Sequence, residues 1–288
     1  MRRYTFTVEE KARGSRLLAY AGRMLPQVPA YALRAAFQKR DVRVDGRRVD
    51  LSAMAEPGTE VCIYTDEARE KTVPVIYQDE NVLVVFKPAG VSCEPDRKGG
   101  RTLPELLAGQ TGPEGREPLL CHRLDNPTEG LVLLAKTPEM QLAAQEAFRR
   151  GEVRKEYICL VRGTPQPGHA VLSAWLVKDA LHARVRVLGK EAPGAKRIVT
   201  EYDVLSPGAC ARLRVRLHTG RTHQIRAHMA FVGHPLLGDD QYGDRAFNRS
   251  LKARGLMLCA ASLSLETAGP LAYLNGRTFT VRPSFDKG

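Results

Sequence analysis

Three short segments carry residue types that could do chemistry. The first is His122-Arg123-Leu124-Asp125-Asn126-Pro127-Thr128-Glu129-Gly130, just ahead of an apolar run. Asp followed by Asn-Pro is turn chemistry, so the Asp125 carboxylate stands at a loop tip, either capping the turn or facing a substrate. The second runs from Leu217 to His228 (LHTGRTHQIRAH). It leaves a strand, turns at Gly220 and enters a helix-like stretch. Arg221, Thr222, His223, Gln224 and Arg226 crowd donors into that corner, which suits an anion, whether phosphate or carboxylate. The third, Lys155-Glu156-Tyr157-Ile158-Cys159-Leu160-Val161, is strand-like. Tyr157 reads as core unless it faces the same cleft as Asp125. His218, His223 and His228 recur every fifth residue, on different faces of a helix, and no acidic or cysteine partner has ligand spacing. No metal and no other cofactor is therefore expected.

These segments need a scaffold, and the chain is long enough to build one. At 288 residues it suggests one large domain plus a small one. The hydrophobic share of 43% is enough for a sizeable core. A formal net charge of +12 favours polyanionic partners. The six cysteines are scattered with no C-x-x-C pair, which argues against a zinc finger and for reduced, mostly buried thiols. MRRYTFTVEE runs into charge without an apolar stretch, so no signal peptide is expected. The longest apolar runs fall far short of the roughly 20 residues of a membrane span. A reduced cytoplasm is the expected location, with no membrane partner.

Leu17, Leu18, Ala21 and Met24 predict one helix, and a second is expected from Tyr31 to Lys39. Val42 to Val44 and Val49 flank Asp45-Gly46, a hairpin signal, and Val61 to Tyr64 follows as a strand. TDEAREKT, 65–72, reads as a linker between a domain at 1–65 and a domain at 74–288. Beyond it strands are expected at 81–86, 130–135, 156–161, 171–177, 183–187, 199–205 and 211–217. A helix capped by Thr137-Pro138 buries Met140, Ala144 and Phe148. The fold class is α+β, a mixed, mainly antiparallel sheet with a small N-terminal α+β domain.

Helix–helix–hairpin with VRVDGRRV resembles the S4 RNA-binding domain, a small module that lays a basic surface on structured RNA. Arg34, Lys39, Arg40, Arg43, Arg47 and Arg48 crowd this part of the chain. Many S4 domains carry Ser-Arg at the start of the second helix; here Val28-Pro29 stands there. Downstream, HRLDxxTxG, KEYxxLV and GRTHQIRxHxxxxGHPLLGDxxYG come in order and resemble the RluA-type RNA pseudouridine synthases. With the S4-like head, the likeness spans nearly the whole chain.

The resemblance implies that Asp125 is the catalytic aspartate, Tyr157 an active-site tyrosine that stacks on the target base or accepts a proton, and Arg221 the basic residue paired with the aspartate. It implies that Arg123 enters the RNA stack when the uridine leaves it, and it places Lys87-Pro88-Ala89-Gly90 near the cleft. Lys87, His223, Gln224 and Arg226 are expected to bind substrate. Two departures stand out. Glu129 replaces a common Ser, putting a carboxylate near the expected RNA path, and Cys259 replaces a common His.

Pseudouridine formation breaks the N1–C1′ bond of uridine and rejoins the base through C5. No group enters or leaves, so one ionised carboxylate acting at C1′ suffices, and a neighbouring arginine favours its charged form. The base must leave its stack, at a cost of about a few kcal/mol. The expected substrate is structured RNA, ribosomal rather than transfer RNA, acted on by a monomer, with no DNA partner. A non-catalytic RNA-binding or ribosome-assembly factor would share the charge and the head. It would give no reason for Asp125, Tyr157 and Arg221 together. A metal-dependent nuclease would need clustered ligands that the spacing does not offer.

Overall fold

The computed structural model describes residues 2–26, 28, 30–65, 73–95, 101–108, 117–179 and 184–286. The expected linker, apart from Thr65, lies outside them, as does Pro29. The chain divides into two compact units, 1–72 with 94–102, and 73–93 with 103–288.

The first unit is built on β1 (Arg2–Thr7), β2 (Val42–Val44), β3 (Arg47–Val49) and β4 (Glu60–Thr65), antiparallel in the order β1-β4-β2-β3. Helices α1 (Leu17–Met24) and α2 (Ala30–Gln38) supply Leu17, Tyr20, Ala21, Leu33 and Phe37 to a core shared with Val42, Val61 and Ile63. Asp45 and Gly46 both take positive φ, 47° and 79°, the conformation whose twist suits a two-residue hairpin. The Asp45 carboxylate accepts the Glu60 N–H at 2.8 Å. Strand β1 was not expected from RRYTFT. It is fixed by a distant partner, pairing from Arg2 opposite Thr65 to Thr7 opposite Glu60. The six basic residues singled out in this unit are all exposed.

The second unit carries β5 (Val75–Gln78), β6 (Val82–Lys87), β7 (Leu119–Leu120), β8 (Glu129–Ala135), β9 (Val153–Arg162), β10 (His169–Asp179), β11 (Arg184–Leu188), β12 (Lys196–Ser206), β13 (Cys210–Leu217), β14 (Leu258–Leu265) and β15 (Thr278–Thr280). They join in one sheet ordered β11-β10-β12-β13-β9-β14-β8-β6-β5, with β7 on β8 and β15 on β14. Among the described residues β8 and β14 pair in parallel and the other ladders are antiparallel, so the sheet is mixed and mainly antiparallel as expected. Its helices are α3 (Leu103–Ala108), α4 (Pro138–Arg150), α5 (Gln224–Phe231) and α6 (Arg245–Ser250).

The central strands are covered on both sides, which explains their unbroken apolar runs. Leu83, Val85, Val132 and Leu134 face a core completed by Leu103 and Leu107 of α3 and Ile225 and Met229 of α5. Val82, Val84, Leu131 and Leu133 face Met140, Ala144 and Ala147 of α4. That helix starts as its sequence predicts: the Thr137 hydroxyl accepts the Met140 N–H at 3.3 Å, with Pro138 at the first position. Five of the six cysteines are buried and all six are free thiols. No helix of the described residues is long and apolar enough to cross a membrane.

Candidate active site

Asp125 sits on the loop between β7 and β8. Its backbone carbonyl accepts the Thr128 N–H at 3.0 Å, which closes the turn. Its carboxylate accepts no hydrogen bond from that turn among the described residues, so it is not a turn cap. Lys87, expected to bind substrate, instead secures this loop from outside. Its side chain is fully buried, and Nζ donates to the carbonyls of Val91 at 2.8 Å and of Pro88 and Asn126 at 3.1 Å. An ammonium has three protons, and these contacts use them. Gly90 N–H adds a bond to the Asn126 carbonyl at 2.8 Å.

The carboxylate opens into a cavity of about 150 Å³ whose wall includes Arg123, Thr128, Lys155, Tyr157, Arg221, His223 and Arg226. The three sequence segments thus meet at one place. Tyr157 lies on β9 between Val215 of β13 and Ala260 of β14. Burial, and after it the charge of Asp125, pushes its phenol well above the ordinary tyrosine value. Tyr157 is therefore protonated near neutral pH.

The partner of Asp125 differs from expectation. Arg221 was expected to hold it, but Arg221 is exposed at the mouth of the cavity and makes no ion pair with Asp125 among the described residues. Arg226 takes that place, with Nη1 3.7 Å from Asp125 Oδ2 and only 3% of its side chain exposed. The reason lies in the path of the backbone. Gly220 to Thr222 form the turn outside α5, whereas Arg226 is inside the helix on its buried face.

Arg226 is itself fixed by Asp239, whose two carboxylate oxygens accept its Nε–H and Nη2–H at 2.8 and 2.9 Å. Asp239 also accepts the backbone N–H groups of Gln241 and Tyr242 at 2.9 and 3.0 Å. Burial alone would raise the Asp239 pKa; the Arg226 hydrogen bonds and charge outweigh it and hold the carboxyl below its usual range. Arg226 is thus a positioning residue more than a substrate contact. Asp239 and Tyr242, the Asp and Tyr of GDxxYG, were quoted in the motif but not singled out as site residues.

His223 takes a left-handed conformation, φ 55°, at the N-terminus of α5. Its Nε2 is 3.9 Å from Asp125 Oδ1 and its Nδ1 is 2.9 Å from the Tyr242 hydroxyl. Burial lowers its pKa, and the opposing pull of Asp125 does not reverse this, so the ring is mainly neutral near pH 7. Gln224 lines the cavity, but its amide is spent within the protein. It donates to the Val199 carbonyl and the Thr200 hydroxyl and accepts from Thr219 Oγ1 and the Arg221 N–H. It holds the 219–221 turn and does not offer its amide to a substrate.

The two departures lie elsewhere. Glu129 and Cys259 are opposite one another across β8 and β14, both buried. Glu129 is turned into the protein: its carboxylate accepts the Ser284 N–H at 2.7 Å and hydroxyl at 2.5 Å, fastening the C-terminal segment. Among the described residues the fold assembles a set that spacing did not reveal, His169, Glu201 and Asp203, each with one possible ligand atom within 4.8 Å of the others. Arg216 already donates to both carboxylates, at 2.7 and 3.0 Å, and none of the three lines the cavity.

The RNA pseudouridylate synthase profile matches residues 81–231, which contain every cavity residue named above. Ribosomal large subunit pseudouridine synthase C of Escherichia coli K12 is 31% identical over 96% of this chain and 91% of its own. Ribosomal large subunit pseudouridine synthase D of Vibrio cholerae is 36% identical over 62% of this chain and 56% of its own. Human RNA pseudouridylate synthase domain containing 4 superposes with a TM-score of 0.60 at 28% identity, covering 74% of this chain and 89% of that one. The matched span, the near-complete relatives and the shared fold agree: the chain belongs to the RNA pseudouridylate synthase family and is an isomerase that converts uridine in RNA to pseudouridine.

Proposed function

We propose that this enzyme modifies one or a few uridines of large-subunit ribosomal RNA, with Asp125 as the nucleophile at C1′. The single observation that carries the catalytic assignment is the Asp125 carboxylate, open to the cavity and flanked by a buried arginine at 3.7 Å that Asp239 holds from behind. Arg226 supplies fixed positive charge beside the carboxylate and limits its motion. Tyr157 acts as a neutral ring against which the flipped base stacks, not as a resting phenolate. Arg221, exposed at the mouth, suits a phosphate beside the flipped nucleotide, and Arg123, also exposed there, fills the place in the stack that the uridine leaves. Large-subunit ribosomal RNA is favoured because the relatives similar over nearly the whole chain carry that substrate in their names. The first unit, with its exposed arginines and Asp-Gly hairpin, acts as an S4-like RNA-binding head that adds affinity through the backbone. The enzyme works as a monomer and requires no cofactor.

Asp125→Asn tests the assignment. Asn is nearly isosteric, and the Asp125 carboxylate caps nothing, so the fold should hold; Arg226 keeps its bonds to Asp239. Tritium release from C5-labelled uridine in ribosomal RNA should fall to background while RNA binding persists. A folded Asp125→Asn protein that releases tritium near the wild-type rate would refute the nucleophile. Pseudouridine mapping in cells with and without the gene identifies the target; loss confined to transfer RNA would overturn the ribosomal assignment.

A further inference from the structure

Thr128 and Lys155, two polar side chains of the cavity wall, have no hydrogen bond or ion pair among the described residues. Thr128 is 3% exposed, and its Oγ1 has no hydrogen-bond partner among the described residues. Lys155 lies two residues before Tyr157 on β9, so both side chains leave the strand on one face. It lines the same cavity, with Nζ 5.0 Å from the Phe148 ring centroid, and makes no ion pair among the described residues. The other cations of the cavity are placed differently. Arg123 and Arg221 are exposed at the mouth, and Arg226 is bound to Asp239. Among the described residues the neighbours of this partly buried ammonium are the Phe148 ring and the His122 imidazole, neither of them anionic, which is costly to the fold and argues for a charge partner that arrives with the substrate.

We propose that Lys155 is a further catalytic residue, whose ammonium meets the uracil ring and stabilises the negative charge that gathers on it as N1–C1′ breaks, with the Thr128 hydroxyl as a second donor to that ring. This rests on assigning the cavity to the flipped uridine. As an Asp125 oxygen bonds to C1′, the N1–C1′ electron pair leaves with the base and spreads over N1, O2 and O4. When C5 rejoins C1′ the Asp125–C1′ bond breaks, C5 loses its proton and N1 gains one, so atoms and charge balance. A fixed cation in a water-poor wall lowers the energy of that anion without giving up its own proton.

The test uses the full chain and an unmodified large-subunit ribosomal RNA transcript, made with uridine or with 5-fluorouridine. Lys155→Met keeps the aliphatic stem and Lys155→Arg keeps the charge. Thermal unfolding, RNA affinity and the saturating single-turnover rate are measured against pH, with conversion read by nucleoside mass spectrometry. Lys155→Met should bind RNA like the wild type and lose rate by about 100-fold or more, and Lys155→Arg should retain most of it. Fluorine stabilises the departing base, so the deficit of Lys155→Met should shrink on 5-fluorouridine RNA; C5 there carries fluorine and has no proton to lose, so the reaction ends once C5 has bonded to C1′ and is read as loss of the 5-fluorouridine peak. Burial pulls the Lys155 ammonium down to about 8. His122 and His223, both held below the ordinary histidine value, and Tyr157 and Arg226, both pushed up, titrate away from that region. The wild-type rate should therefore fall above about pH 8, and Lys155→Arg should move that limb upward.

A folded Lys155→Met protein with wild-type rate, or one whose only loss is affinity, overturns the proposal. So does an equal deficit on both bases. Asp125→Asn would remain inactive in each case, so the reading of Asp125 would stand. If Lys155→Met does not fold, Lys155→Arg decides: an unmoved alkaline limb overturns the proposal. A wild-type protein inactive on every transcript would overturn the underlying reading and this one with it.

Discussion

Asp239 touches no substrate atom in the proposed mechanism, yet it decides where Arg226 stands. Asp239→Asn keeps the side-chain shape and one acceptor but removes the charge opposite a buried guanidinium. Breaking a buried pair costs about 3–5 kcal/mol, and the acceptor that Asn retains should place the loss near the lower end. Arg226 would then keep Asp125 and the exposed Asp240 as anionic neighbours, at 3.7 and 3.9 Å, and would shift from its present place. A misplacement of about 1 Å lowers a rate by roughly 100-fold, so the saturating rate should fall by that order while RNA affinity changes little. The pH dependence has a definite sign. The Asp239 carboxyl is held below its unfolded value, so its stabilisation is complete above the ordinary carboxylate range and is lost as pH falls through the folded pKa. Thermal unfolding of Asp239→Asn should show a shallower acid limb than the wild type. An unchanged rate and an unchanged acid limb would show that Arg226 needs no anchor.

The parallel contact of β8 with β14 is the element that brings the Asp125 loop to the Tyr157 strand. Gly130 makes it possible. Its φ is 121°, and a Cβ there would stand 2.4 Å from the Ala260 carbonyl oxygen and 2.5 Å from the Ala260 nitrogen. Both neighbours are backbone, so nothing flexible can yield. Gly130→Ala should destabilise the protein by more than about 2 kcal/mol, combining a strained φ with a separated ladder. Activity should fall further than stability alone explains, because the loop that carries Asp125, five residues upstream, runs directly into the start of β8, where Gly130 lies. Equilibrium denaturation and single-turnover rates below the transition would separate the two effects; a stable, fully active Gly130→Ala protein would refute this account. Gly130 could be read from HRLDxxTxG as a fixed spacing, but its reason could not, since Ala260 is 130 residues away.

For the whole molecule the charge is spread over both units. Residues 1–72 hold fourteen basic and ten acidic residues, a surplus of four within the total of +12. A fragment starting at residue 73 retains the complete cavity wall and both faces of the large core. It should unfold cooperatively, modify RNA at a reduced rate under subsaturating conditions, and bind with a shallower slope of log affinity against log salt, since each lost phosphate contact removes about 0.7–0.9 from that slope. A fragment that fails to fold would overturn the proposed separation into head and catalytic domain. One with an unchanged salt slope would remove the first unit from the RNA interface.

The sequence by itself determined the local structure and the chemistry. Unbroken apolar runs specified the doubly covered strands β6 and β8, Thr137-Pro138 specified the start of α4, and Asp45-Gly46 specified the hairpin. Asp125, Tyr157 and the 220–228 segment were legible because their residue types and order are unusual in combination. Tertiary structure decided which of several eligible side chains does what. Arg221 and Arg226 are equally basic and five positions apart; only the burial of one face of α5 put Arg226 beside Asp125 and left Arg221 at the mouth. Lys87 looked like a cleft cation until the folded loop supplied three carbonyls to its ammonium. Glu129 looked like a charge on the RNA path until Ser284, 155 residues further along, bonded to it. Strand β1 followed the same logic, with a register given by β4. In each case the deciding partner is distant in the chain, and local propensity carries no record of a contact that chain folding alone creates.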